Sequence, residues 1–202
     1  MSDRAFVLER LRRATRRRVP HPGLHPPPAL PGGWETFAAA LRGAGGEAHG
    51  PFDPQRLTDR MRSLASERSR SGRIVAVEAA ASQLGAGPWE LASVDAEPHS
   101  FDAVEVAILL ASVGVAENAA VAIEGRVAPQ RALPFLTRHL LLLLRVDHIS
   151  PDLHSAFARL PADALFHHHL TWISGPSKTA DIEQTLVYGA QGPLTLDVFG
   201  IA

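Results

Sequence analysis

Ser174-Gly175-Pro176-Ser177-Lys178-Thr179 gathers hydroxyls and an amine in one Gly-Pro turn, directly after the apolar run 170–173. Asp181 and Glu183 follow, and acidic residues suit the first turn of a helix. Open α/β sheets present functional groups at the carboxyl ends of their strands, in turns of this kind. Gly175 reaches backbone angles other residues avoid, Pro176 stiffens the turn, and Ser177 or Thr179 can cap a following helix. A structural turn alone accounts for these residues. A functional reading adds Lys178 and the helix-start amides as an anion site, and the two readings are compatible. The binding candidates in the block are Gly175, Ser177, Lys178, Thr179 and Asp181. No glycine stands immediately before Lys178, so the block is not a Walker A loop.

Glu117-Asn118 separates two apolar runs, 104–112 and 119–123. A carboxylate half-buried there is costly unless paired. Two readings stay open. One is a turn in which Asn118 takes the left-handed region and Glu117 faces solvent. The other is a carboxylate tuned as base or nucleophile, which makes Glu117 the catalytic candidate and Asn118 a binding one. Gln191-Gly192-Pro193 is a second Gly-Pro turn. Gln191 and Gly192 either join the crevice of the first turn or form a plain edge turn. His167-His168-His169 invites a metal reading, but on a strand His167 and His169 share a face and His168 does not. A third ligand would have to come from His139, His148, His154 or a carboxylate. A structural role is the plainer account, and no metal site and no cofactor is expected. Neither a H-E-x-x-H nor a G-x-S-x-G pattern occurs.

The elements that must position these residues follow from hydrophobic pattern. Strands are predicted over 73–77, 104–112, 119–123, 140–146, 168–174 and 194–199, with helices over 34–41, 54–69 and 152–160. Nearly continuous apolar strands alternating with helices argue for an α/β fold: a mainly parallel sheet with helices on both faces. Residues 3–18 read as an arginine-rich helix with a narrow stripe of Phe6, Val7, Leu8 and Leu11, which needs a partner surface. No aromatic interleaves with its arginines to stack on bases, so a docked helix is favoured over a nucleic-acid arm. Residues 19–33 are rich in proline and read as a linker. The expected organisation is a basic helix with a Pro-rich linker over 1–33 and one α/β domain over 34–202.

Composition closes off other classes. The 202 residues are 46% hydrophobic with a net charge of -1, so the chain is no polyelectrolyte binder of nucleic acid. It holds no cysteine, which excludes disulfides, thiolate nucleophiles and cluster ligation by thiolates. The start is too charged for a signal peptide, and the run 140–144 is far shorter than the about 20 residues a membrane helix needs. A cytoplasmic location without membrane insertion is expected.

Ser174-Gly175-Pro176-Ser177-Lys178-Thr179-Ala180-Asp181-Ile182-Glu183, then Gly189 and Gly192-Pro193, resembles the C-terminal signature of the LUD-domain family, the lactate utilization protein C group. Arg131-Ala132-Leu133-Pro134 with His139, and Gly45-Gly46, are similar to further segments of it. The resemblance runs from about Trp34 to Ala202. It implies the fold shared by ribose-5-phosphate isomerase, glucosamine-6-phosphate deaminase and CoA transferases. It also implies a place in a three-protein system that oxidises L-lactate to pyruvate, with the iron–sulfur clusters on partner subunits. The chain departs from the family in reading Ala119-Ala120 after Glu117-Asn118, where glycine and hydroxyl residues are usual. It reads Gln191-Gly192-Pro193-Leu194 where the family usually has histidine, glycine, proline and arginine.

Two functions follow. The first is an accessory subunit of an iron–sulfur lactate oxidation system, with those subunits, a small anion and a second copy of the chain as candidate partners. The alternative is an enzyme resembling CoA transferases or isomerases, acting on a CoA-linked or phosphorylated acid, with Glu117 as base or nucleophile. A nucleic-acid role for the arginine helix ranks last.

Overall fold

The computed structural model describes residues 3–14, 30–70, 72–166, 169–181 and 184–202. In chain order the elements are α1 (Asp3–Ala14), α2 (Trp34–Gly43), β1 (Glu47–Phe52), α3 (Pro54–Arg68), β2 (Arg73–Ala76), α4 (Glu78–Leu84) and β3 (Glu90–Leu91). Next come β4 (Val104–Leu110), β5 (Val113–Val115), β6 (Val121–Glu124), α5 (Leu133–Leu136), β7 (His139–Arg145), β8 (Ile149–Ser150) and α6 (Leu153–Arg159). The last are α7 (Ala162–Phe166), β9 (Leu170–Ile173), β10 (Lys178–Thr179), β11 (Val187–Tyr188) and β12 (Thr195–Ile201).

The main sheet has six strands in the order β1-β12-β7-β4-β2-β3, with parallel pairing throughout. Its central strand β7 is covered on both sides, which explains the unbroken leucines: Leu140 to Leu144 are wholly buried. Helices lie on both faces, as the strand composition predicts. Residues three apart on a strand point to opposite faces. On β12, Asp197 meets Arg68 of α3 while Gly200 lies under Trp34 of α2, so the two helices flank the sheet.

Local chemistry explains where these helices begin and end. Asp53 accepts from the Gln55 and Arg56 amides, and Pro54 needs no amide partner in the first turn of α3. α2 ends where Gly45 takes φ 89°, with Gly45 and Gly46 amides returned to Arg42 and Leu41 carbonyls.

Part of the expected single sheet is a separate one. β8-β5-β6-β9 form a four-stranded sheet in which β5 pairs antiparallel with β6, and β6 with β9. Residues 116–120 are too few for a parallel crossover, which needs about a dozen residues, so β5 and β6 must turn back on each other. This sheet packs on the α2 side, with Gly114 against Leu144 and Phe37. Among the elements the pattern does not announce are β1 and α4. β1 carries Gly50 and Pro51, which a strand tolerates because it lies at the sheet edge.

Residues 15–29, which hold the end of the predicted first helix and most of the predicted linker 19–33, lie outside the described residues. α1 itself leaves Phe6, Val7, Leu8 and Leu11 exposed. Among the described residues no helix is long and apolar enough to cross a membrane.

Candidate functional site

A cleft of about 840 Å³ opens at the amino ends of β4, β7 and β12. Val104 starts one of these strands, and Arg138 and Leu194 immediately precede the other two. The Leu194 amide donates to the Arg138 carbonyl at 2.8 Å, which ties these two entry segments together. Phe135 and Leu136 of α5 and Tyr188 of β11 form a half-exposed apolar rim. The polar wall holds Arg138, Glu105, Asp102 and Gln191. Glu105 Oε2 accepts from the Arg70 and Gly72 amides, so this carboxylate is engaged in positioning the loop before β2. Arg138 makes no ion pair among the described residues, leaving its guanidinium as the cation the cleft offers.

His139, the first residue of β7 and the chain neighbour of Arg138, has Nδ1 2.9 Å from Thr195 Oγ1. Burial holds its pKa below 6.5, and the charges of Arg68 and Arg138 push it further down. The shift favours the neutral form of the ring next to Arg138.

The sequence-predicted residues separate into three groups. Gln191 and Gly192 line the cleft, and the second Gly-Pro turn is tied to the first through Ser177. Ser177 donates its amide to the Pro193 carbonyl and accepts from the Gly189 amide, and its Oγ accepts from the Gln191 amide at 3.3 Å. The second group closes against α2. Lys178 Nζ donates to the Ala44 carbonyl at 2.5 Å, and Gly175, at φ 77°, lies against the same carbonyl. Thr179 Oγ1 accepts locally from the Asp181 amide, and Asp181 is exposed. The third group is the tip between β5 and β6. Glu117 is exposed and accepts from the Leu153 amide at the start of α6 at 3.0 Å. Asn118 Oδ1 accepts from the Ala120 amide, and the Asn118 carbonyl accepts from Ser174 Oγ at 2.6 Å. Neither Glu117 nor Lys178 lines the cleft.

The helix expected after Pro176 is replaced by the antiparallel hairpin β10–β11, in which Lys178 and Thr179 pair with Tyr188 and Val187. The Ser177 amide is spent on Pro193, so the expected helix-start anion cradle does not form. Nor does the preceding strand, β9, belong to the parallel sheet; it is antiparallel to β6. Ile182, Glu183, His167 and His168 lie outside the described residues. The other histidines are dispersed: His139 meets Thr195, His148 Nδ1 meets the Ser112 carbonyl, His154 is exposed on α6, and the His169 carbonyl accepts from Gly125.

Sequence reasoning missed a buried ionic cluster. Asp197 is wholly buried on β12, with Arg68 Nη2 at 3.3 Å from both carboxylate oxygens and His49 Nε2 at 2.9 Å. The signal was a lone charge inside an otherwise apolar strand. Glu47, His49 and Asp197 place ligand atoms within 4.8 Å of one another, but a metal ion would have to displace the Arg68 guanidinium.

The LUD-domain profile matches residues 55–199, from the start of α3 into β12. The chain belongs to the LUD-domain family. The matched span contains both Gly-Pro turns, Glu117-Asn118 and the whole cleft wall named above. Among solved structures, the LUD chain is similar to a DUF162 family protein from Deinococcus radiodurans, with a TM-score of 0.61 and 14% identity over 83% of this chain and 95% of that one. That likeness supports the fold. No curated protein matches. In this LUD domain Leu194 and Arg138 stand side by side in the cleft, the Leu194 amide on the Arg138 carbonyl.

Proposed function

We propose that this LUD-domain chain is a non-redox accessory component of an iron–sulfur system that oxidises L-lactate to pyruvate. In this reading its cleft receives a small carboxylate at Arg138, and partner subunits carry the clusters. One observation carries the accessory role: the two reactive candidates serve helix ends. Glu117 takes the Leu153 amide at the start of α6, and Lys178 closes the end of α2. A CoA-transferase-like reaction would need Glu117 in a cleft facing a reacting carbonyl. The absence of cysteine accords with clusters held elsewhere.

The test is genetic and biochemical. In a host without a paralogue, deletion should abolish growth on L-lactate, and the intact gene should restore it. The purified chain with an artificial electron acceptor should form no pyruvate, and adding the iron–sulfur subunits should start turnover. Undiminished growth of the deletion strain would sink the reading.

A further inference from the structure

At the opposite edge of the main sheet, the carboxyl ends of β4 and β7 border a second cavity, of about 340 Å³. This is the edge where open α/β sheets take ligands, and the volume is within the range of small-molecule sites, about 300–1,000 Å³. Three arginines line it from separate elements: Arg126 after β6, Arg145 at the end of β7 and Arg159 at the end of α6. His148 also lines it.

We propose that this crevice binds a small dianion, an organic phosphate or a dicarboxylate, gripped by Arg126, Arg145 and Arg159. The protein's own carboxylates hold the arginines in place without exhausting them. Arg126 Nε donates to Glu124 Oε2 at 2.7 Å, and Glu124 is buried, its side chain 3% exposed. Arg145 donates through Nε and Nη2 to Asp147, and Arg159 Nη2 donates to the Asp147 carbonyl at 2.7 Å. Each guanidinium has five N–H donors. Arg145 Nη1 and the terminal nitrogens of Arg126 have no acceptor among the described residues. Three cations against the carboxylates of Glu124 and Asp147 leave the crevice positive. The planar guanidinium matches the paired oxygens of a carboxylate or phosphate. Val113 and Leu160 supply an apolar wall for a short carbon stem. Nothing in this inference depends on the lactate reading, because the lactate cleft lies at the other end of the strands.

The whole chain is titrated with inorganic phosphate and with malonate, by calorimetry at low salt and by NMR of the His148 imidazole. Saturable binding that moves the His148 signal and weakens with salt is expected from at least one probe. The stronger probe identifies the source of the dianion. Arg145→Gln with Arg159→Gln should weaken it at least about tenfold, with Arg42→Gln on the exposed end of α2 unchanged. No saturable binding, a silent His148, or undiminished binding in the double variant overturns the proposal. Should the double variant not fold, the His148 response of the unaltered chain decides.

Discussion

Lys178 donates to the Ala44 carbonyl across 134 positions of chain and thereby closes the C-terminal end of α2. A cation there meets the negative end of the helix dipole. Lys178→Ala should lower stability by about 0.5 kcal/mol and leave carboxylate binding at the cleft intact. Urea denaturation and calorimetry check the two halves. Lost binding at unchanged stability would return Lys178 to a ligand role.

Gly175 stands against the same carbonyl, at φ 77° with an added Cβ only 2.7 Å from Ala44 O. Gly175→Ala combines left-handed strain with a backbone clash, and a loss of about 2 kcal/mol is expected. A melting temperature equal to that of the unaltered chain would contradict this account.

Arg68 and Asp197 differ in exposure, 28% against 0% for their side chains. Removing Arg68 leaves the buried carboxylate with only the His49 imidazole, whereas removing the charge of Asp197 leaves a guanidinium that can turn toward water. Arg68→Met should therefore cost about 3 kcal/mol and Asp197→Asn less. The reverse order in chemical denaturation would refute the assignment of Arg68 as the balancing charge.

His139 holds fewer protons in the folded state than in the unfolded chain, because burial first and then Arg68 and Arg138 lower its pKa from 6.5. Stability from the neutral ring is complete above the unfolded value and is lost as pH falls through the folded one. Urea midpoints should decline as pH falls through the unfolded value of 6.5 toward the lower folded one, and decline less for His139→Gln. Parallel declines would remove His139 from the cause.

Arg138 is the cleft's cation, so Arg138→Ala should weaken pyruvate binding at least about tenfold, with Arg138→Lys intermediate. Calorimetry at fixed ionic strength reads both. Equal affinity in all three proteins would place the carboxylate elsewhere.

The amino-acid sequence alone determined the central strand 140–144, whose unbroken leucines require cover on both faces, and the start of α3 at Pro54. Cluster ligation by thiolates was excluded by composition, and the two Gly-Pro turns were legible as local chemistry. Only the tertiary structure decided how those turns are used. Ser177 and Gln191 meet because β10–β11 folds back, and Lys178 finds a carbonyl on a distant helix end. The Arg68–Asp197 pair, 129 positions apart, and the arginine crevice at the strand ends were equally out of reach. Hydrophobic period and turn residues act over a few neighbours and so can be read along the chain. A charge is paired or left available by residues that packing brings from remote positions, and that is settled only when the sheet closes.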